Sequence, residues 1–501
     1  MLSSRSERGW YLLSAVSGLW LALAMPVFAQ ESYYWCYAEH PDLSYFDHPP
    51  MVAWQIWVGT ALFGDNAIGI RFGTWLCATG TTWIGLLWLR RLGAESWVRR
   101  CWLACTFAMP MLLLAHFMST PDPPLVFWWA ATMYALHRAR DGHTGWWLAA
   151  GLAAGCALLS KYTAAFLAIG GVLTLAFDPQ MRRQLRRPGP YLSQLVAAVT
   201  FLPVVVWNVA NDFESFRFQT ERRWEHAEFG GFFLGRFLLH QTGLLHPWIA
   251  LSLPLALWWL ARRAARRDLT ALWMVAFAAP LPLFFLCASM FIKVKMNWLM
   301  PCALPLAAVV LTWLRSLGTG DQPSRAPRLT ARVLVVSAMV LAIVPPIIHL
   351  VPQPAGTSWQ GWDRIAERAE YWEEQLDARD GVPDNVFFFA SGYRDAAQLS
   401  LHLKRRTRRM SGDHHLEAVL AQNVFGVSAL QFDHWEPADK HIGQNAIFVL
   451  LRPDRRHGEI DKLNRHFASA TRVERVEIRV FGRRVAVADI YEARGYRGPK
   501  V

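Results

Sequence analysis

Long apolar runs separated by short arginine clusters recur from the N-terminus to about residue 351, and this pattern constrains the chain more than any other feature. The first, Trp10 to Phe28, follows Arg5 and Arg8 and has the length of a bilayer crossing, so it reads as a signal anchor. Further runs lie at 66–89, 100–118, 124–137, 146–160, 163–178, 190–209, 244–261, 269–291, 298–314 and 330–351. Together they predict about eleven spans. The runs at 124–137, 146–160 and 163–178 are short for a bilayer, which suggests tilted, broken or re-entrant helices.

The arginines fall in alternate connections: Arg90-Arg91 with Arg99-Arg100, Arg138 with Arg140, Arg182-Arg183 with Arg186-Arg187, Arg262-Arg263 with Arg266-Arg267, and Arg315 with Arg325, Arg328 and Arg332. Basic residues collect in cytoplasmic loops, so the N-terminus is expected inside and the C-terminus outside. A net charge of +13 would otherwise suggest nucleic acid, but charges distributed this way face anionic headgroups, and a nucleic-acid partner is excluded. Composition agrees: 53% hydrophobic and 18% charged residues rule out an ordinary soluble chain, a disordered one and a disulfide scaffold. The seven cysteines sit in or beside apolar runs, apart from Cys36, and lack metal-ligand spacing.

The character changes after Pro352-Gln353-Pro354. Amphipathic helical stretches (Trp362 to Ala378, Tyr393 to Lys404) alternate with β-rich ones (Asn385 to Ala390, Ala446 to Leu451, Val473 to Val480). The chain therefore divides into a mostly α membrane domain over 1–354, with interfacial helices in an outer loop at 29–65, and a periplasmic soluble α/β domain over 355–501. Arg494 and Arg497 read as a solvated tail.

Four stretches expected on the outer face carry the polar residues. The first runs from Gln30-Glu31-Ser32-Tyr33-Tyr34-Trp35 to Tyr45-Phe46-Asp47-His48-Pro49-Pro50 and has no Lys or Arg. The others are Ser119-Thr120-Pro121-Asp122-Pro123-Pro124, Ser160-Lys161-Tyr162, and Lys293-Val294-Lys295-Met296-Asn297-Trp298, the last joined by Arg217, Arg222 and Arg223. Carboxylates opposite cations at one membrane face suit a reaction in which a general base activates an acceptor while Lys and Arg hold a leaving phosphate. Each residue also has a plainer reading. Asp122 can cap a helix, Lys161 and Lys293 can snorkel to headgroups, His48 can bond within a turn, and Tyr33, Tyr34 and Trp35 can anchor at the interface.

Taken in order, Glu31-Ser32-Tyr33-Tyr34-Trp35, Tyr45-Phe46-Asp47-His48-Pro49-Pro50, Thr120-Pro121-Asp122 and Ser160-Lys161-Tyr162-Thr163 resemble bacterial glycosyltransferase family 39. That family lies within the multi-span C-type (GT-C) glycosyltransferases and is related to protein O-mannosyltransferases and to lipid A aminoarabinose transferases. The stretch Lys293 to Trp298 and the terminal Gly-Tyr-Arg-Gly at 495–498 resemble it too. The resemblance implies an inner-membrane enzyme that moves a sugar from a polyprenyl-phosphate donor to a lipid A, glycan or protein acceptor, with inversion. It also implies an acidic pair in the first outer loop, which here is Gln30-Glu31.

On that basis Glu31 is the leading candidate to activate the acceptor, with Asp122 second and Asp47 organising its loop. Lys161, Lys293 and Lys295 are expected to hold the donor phosphate with Arg222 or Arg223. Tyr33, Tyr34, His48 and Asn297 shape the substrate and loop surfaces. A divalent cation near Glu31 and Asp47 is the one cofactor considered, although no His-rich spacing calls for it. The competing readings are a lipid-linked sugar transporter, for which no internal repeat is found, and an inactive family member, for which Gln30 is the sole support.

Overall fold

The structure is a computed structural model that describes residues 5–222, 224–225, 227–318, 325–350, 360–381, 385–410, 418–453, 456–480 and 482–500. The chain forms two compact units, one of Met1–Leu23, Leu43–Gln55 and Arg71–Val344, the other of Ala24–Asp42, Ile56–Ile70 and Pro345–Val501.

The helices, in chain order, begin with α1 (Arg5–Ala24), α2 (Ala29–Glu39), α3 (Met51–Phe63), α4 (Ala67–Arg91), α5 (Ser96–Ala108) and α6 (Pro110–Leu114). They continue with α7 (Asp122–Ala139), α8 (Thr144–Ser160), α9 (Phe166–Phe177), α10 (Pro179–Gln184), α11 (Gly189–Ala210) and α12 (Glu214–Arg217). Then come α13 (Gly231–Leu244), α14 (Pro247–Ala265), α15 (Leu269–Ala278), α16 (Pro280–Ala288), α17 (Ala303–Ser316) and α18 (Arg325–Leu350). The first apolar run is shorter as a helix than expected, since α1 ends at Ala24 and a new helix begins at Ala29. The runs at 100–118 and 269–291 are each broken at a proline, Pro110 and Pro280, whose ring clashes with the carbonyl one turn back.

Among the described residues, four helical segments are long and apolar enough to cross a membrane: Gly189–Ala210, Leu269–Ala288, Met296–Ser316 and Arg325–Ile347. The count reaches six if two bent helix pairs are each one span; one of these, α13 with α14, turns through 111°. In this first unit the core is built on fully buried Trp88, Trp102, Trp129 and Trp273. Helix α8 packs against α11 through Gly151 and Gly155, at the four-residue spacing that lets helix backbones approach closely. A Cβ at Gly151 would lie 2.3 Å from the Ser193 carbonyl oxygen, so the contact admits no side chain. This packing fixes the C-terminal end of α8, where Lys161 follows.

The second unit holds a five-stranded sheet in the order β2-β1-β3-β5-β4. Its elements are α19 (Trp362–Asp380), β1 (Val386–Ala390), α20 (Tyr393–Met410), β2 (Val419–Leu420), α21 (Phe432–Trp435), β3 (Asn445–Leu451), α22 (His457–His466), β4 (Phe467–Val480) and β5 (Arg483–Tyr496). Strands β1, β2 and β3 run parallel, and β5 is antiparallel to both β3 and β4. All of β1 is buried, as expected for a parallel strand covered on both faces, and Phe389 stacks on Phe448 and Phe467. The expected strands and helices of this region are present. Arg497 is exposed, as expected of a solvated tail, whereas Arg494 is half-exposed within β5, where it donates to Asp380 at 3.0 Å, and Tyr496 is buried with its hydroxyl on the Val424 carbonyl at 2.7 Å.

Candidate functional site

In the first unit, side chains from three separate sequence stretches converge on one carboxylate. Asp122 begins α7 with Pro123 and Pro124 in the first turn, where proline's missing N–H leaves no helical bond unmade. Its carboxylate is not used as a helix cap. Lys161 Nζ donates to Oδ1 at 2.7 Å, and Asn297 Nδ2 donates to Oδ2 at 2.5 Å.

Lys161 reaches this position because α8 stops beneath it. The Lys161 N–H closes the last turn on the Ala157 carbonyl at 3.0 Å, and its backbone is then extended, with φ −165° and ψ 141°. A short 3-10 turn, Tyr162–Ala165, follows before α9. The ammonium therefore points inward rather than snorkelling. Side-chain exposure is 9% for Lys161 and 3% for Asp122, so the ion pair is buried.

Beside the pair is a cavity of about 180 Å³ lined by Lys161, His48, Tyr162, Gln219, Trp224, Phe285 and Trp298, among others. Its walls are largely aromatic, with Lys161, His48, Gln219 and Thr163 among the polar points. Tyr162 shares a hydrogen bond of 2.7 Å with Ser215. Asp47 is buried, and its carbonyl accepts from Gln219 Nε2 at 2.8 Å, tying the Asp-His-Pro-Pro stretch to the 210–230 region.

Several expected site residues are placed differently. Lys293 and Lys295 are exposed and do not line the cavity, although Ile292 and Trp298 on either side of them do. Arg223 and the side chain of Arg222 lie outside the described residues. Glu31 is in the second unit, fully buried, with Oε2 accepting the Phe28 N–H at 2.9 Å, so it caps the start of α2. Tyr33 and Tyr34 are buried rather than anchored at a membrane interface. The Tyr33 ring packs on Tyr393 at 4.8 Å, and its hydroxyl oxygen accepts the Gln431 N–H at 3.3 Å. Gln30 accepts from Arg394 Nε at 3.0 Å.

Among the described residues no three His, Cys, Asp or Glu side chains are grouped to hold a metal, and Glu31 and Asp47 belong to different units. Gln219 and Trp224 were not legible as site residues, because they lie in a long connection without a motif. Phe166, Phe284 and Phe285 read only as members of apolar runs.

Residues 47–207 match the family described as dolichyl-phosphate-mannose-protein mannosyltransferase. Two curated proteins resemble the chain over longer stretches. The lipid A galacturonosyltransferase RgtD of Rhizobium johnstonii is 28% identical over 300 residues, covering 58% of this chain and 61% of that protein. The undecaprenyl phosphate-alpha-4-amino-4-deoxy-L-arabinose arabinosyl transferase 1 of Pseudomonas fluorescens is 30% identical over 330 residues, covering 61% of this chain and 56% of that protein. The chain thus spans about 60% of the length of these curated relatives. In fold it is similar to the crystal structure of ArnT from Cupriavidus metallidurans in the apo state, with a TM-score of 0.65, 18% identity, and coverage of 96% of this chain and 98% of that one. The same protein bound to undecaprenyl phosphate gives a TM-score of 0.63 at 19% identity over the same coverage. The resemblance read from the sequence motifs therefore holds, and the mostly helical chain with its small C-terminal sheet shares the fold of that structure.

Proposed function

We propose that the chain is an integral membrane glycosyltransferase that moves a monosaccharide from a polyprenyl-phosphate donor to an envelope glycolipid of the lipid A class. The observation that carries this reading is the buried Lys161, held by Asp122 and Asn297 at the wall of an aromatic cavity. A cation fixed in a site of low dielectric is suited to a phosphate, because its charge needs no reorganisation as the leaving group develops negative charge. The relatives act on lipid A or carry an undecaprenyl-phosphate sugar in their names, which supports both substrate classes. One named sugar is a uronic acid and the other an amino sugar, so the transferred sugar is left open.

In this mechanism Lys161 holds the donor phosphate. Asp122 becomes a positioning residue rather than a second base, because it is the group that fixes the Lys161 ammonium. Glu31 takes the proton of the acceptor hydroxyl. The acceptor oxygen bonds to the anomeric carbon, the bond from that carbon to the phosphate oxygen breaks, and its electron pair leaves with the polyprenyl phosphate, inverting the centre. His48 and Tyr162 line the cavity that receives the donor. Lys293, Lys295 and Arg222 or Arg223 assist in holding the phosphate, and Asp47 holds its loop through Gln219. We place this chemistry on the periplasmic face of the inner membrane, with about eleven spans over 1–354, the N-terminus inside, and the 355–501 domain outside.

The test is reconstitution of the full chain with undecaprenyl-phosphate sugars and lipid A, followed by mass spectrometry. Transfer by the native protein, loss of it in Glu31→Gln with donor binding kept, and loss of donor binding in Lys161→Met are expected. Turnover kept in Glu31→Gln would remove Glu31 as the base. No transfer to lipid A, with transfer to another glycan or a protein, would overturn the acceptor class.

A further inference from the structure

A cavity larger than the one beside Asp122 lies elsewhere in the first unit. It is a slot of about 410 Å³ between α1, α5 and α18. It exists because the helices face one another with small side chains: Ser14 and Ser17 from α1, Ala104 from α5, and Ala331, Ala338 and Ala342 from α18. At 1.5 Å per residue, Ala331 to Ala342 spans about 16 Å along α18, roughly half the thickness of a bilayer's hydrocarbon core. Leu13 and Met339 on its rim are more than half exposed. The slot therefore opens sideways, toward whatever surrounds the helices.

One end of the slot carries charge. Arg100 lines it together with Trp10 and Trp97, and indoles of this kind settle at headgroup depth. Four other arginines of this unit are paired: Arg90 and Arg99 with Glu7, Arg91 with Asp141, and Arg315 with Glu95. Arg100 differs. Its Nε reaches the Ser96 carbonyl at 3.4 Å, and among the described residues its guanidinium meets no carboxylate. No acidic side chain lines the slot.

We propose that the α1–α5–α18 slot is a binding site for one anionic phospholipid, with its headgroup phosphate on Arg100 and an acyl chain along the alanines of α18. An uncompensated cation at one end of an apolar slot, beside two interfacial indoles, fits such a molecule at both ends. A zwitterionic lipid would bring its own cation against Arg100. The site is independent of the glycosyl-transfer reading and would tie the first helix to the last of this unit through a lipid.

The test uses the full chain in vesicles of phosphatidylcholine with or without phosphatidylglycerol. Phosphatidylglycerol carrying a diazirine in its acyl chain is cross-linked and mapped, and retained lipid is counted by native mass spectrometry. Cross-links on α1, α5 and α18, with one phosphatidylglycerol retained per chain, are expected. Arg100→Gln should reduce the preference for phosphatidylglycerol about fivefold, the ~1 kcal/mol that one basic residue contributes near anionic headgroups. Ala338→Phe and, separately, Ala104→Leu should fill the slot and displace the lipid without lowering the melting temperature. Equal retention of both lipids by native protein and Arg100→Gln would overturn the proposal. So would cross-links confined to other helices, or a dimer that dissociates in Ala338→Phe, since a second copy would then be the occupant.

Discussion

The buried pair of Asp122 with Lys161 gives the sharpest prediction. At 2.7 Å, with an effective dielectric of about 20, the attraction between the two charges is about 6 kcal/mol. Much of that offsets the desolvation of two groups whose side chains are 3% and 9% exposed, so the net value of the pair is far smaller. Removing one partner is another matter, because it strands the other charge in the interior, and this costs about 3–5 kcal/mol. Asp122→Ala should therefore destabilise the chain by about that amount, and more than Lys161→Met, since Asp122→Ala also strands the Asn297 amide. The double variant should recover part of the loss, with a coupling energy of about 2–3 kcal/mol. Unfolding followed by tryptophan emission in one fixed detergent measures all three. Transfer assays on the same proteins should separate stability from chemistry: the double variant regains stability and stays inactive, because its phosphate-holding cation is gone. If the two single losses add to within about 0.5 kcal/mol, the groups do not interact as described. If in addition Asp122→Ala transfers sugar at the native rate, the role of Lys161 falls with it.

Three further outcomes follow from particular contacts. Gly151→Val should separate α8 from α11, because the added carbon meets the Ser193 backbone and not a movable side chain, and both melting temperature and donor binding should drop. Tyr496→Phe leaves the buried Val424 carbonyl without its donor and should destabilise the C-terminal unit by about 1–2 kcal/mol, read as faster amide exchange in β3 and β5 of the full chain. Burial holds the Asp395 carboxyl above the usual carboxylate range, against the opposing pull of Arg456, Arg452 and Arg394. A raised acid binds its proton more readily folded than unfolded, so its contribution is present at low pH and is lost as pH rises through the raised value. Asp395→Asn should flatten that part of the stability profile above about pH 4, measured by thermal melts at stepped pH.

The fold class was readable because its cause is local. An apolar run between arginines identifies itself without knowledge of its neighbours, and so do the β-rich stretches that became β1, β3 and β4. Strand β5 was not readable as alternation, because Val485 to Ala493 is buried at every position, including Asp489, a carboxylate whose partner Arg475 lies on β4. The side chains that make such a charge tolerable come from elsewhere in the chain. Asp122, Lys161 and Asn297 were each visible as polar residues at the ends of apolar runs, but their convergence depends on where α8 stops and how closely α11 lets it pack. The tyrosines of α2 were misread for a related reason. An aromatic ring is equally at home among headgroups or in a protein core, and only the packing partners, Tyr393 and Phe432 for Tyr33, distinguish the two.

Gln30 shows how far this limits inference from a single substitution. As sequence it is a missing carboxylate, and therefore an argument for lost activity. In the structure its side-chain oxygen accepts from Arg394, an exposed residue near the start of α20. A carboxylate at the same position would be drawn to that guanidinium as one half of an ion pair, and a carboxylate held by an arginine is a poorer base than a free one. The substitution therefore removes a charge whose natural partner is within the same unit. By itself it does not argue that the chain has lost its chemistry.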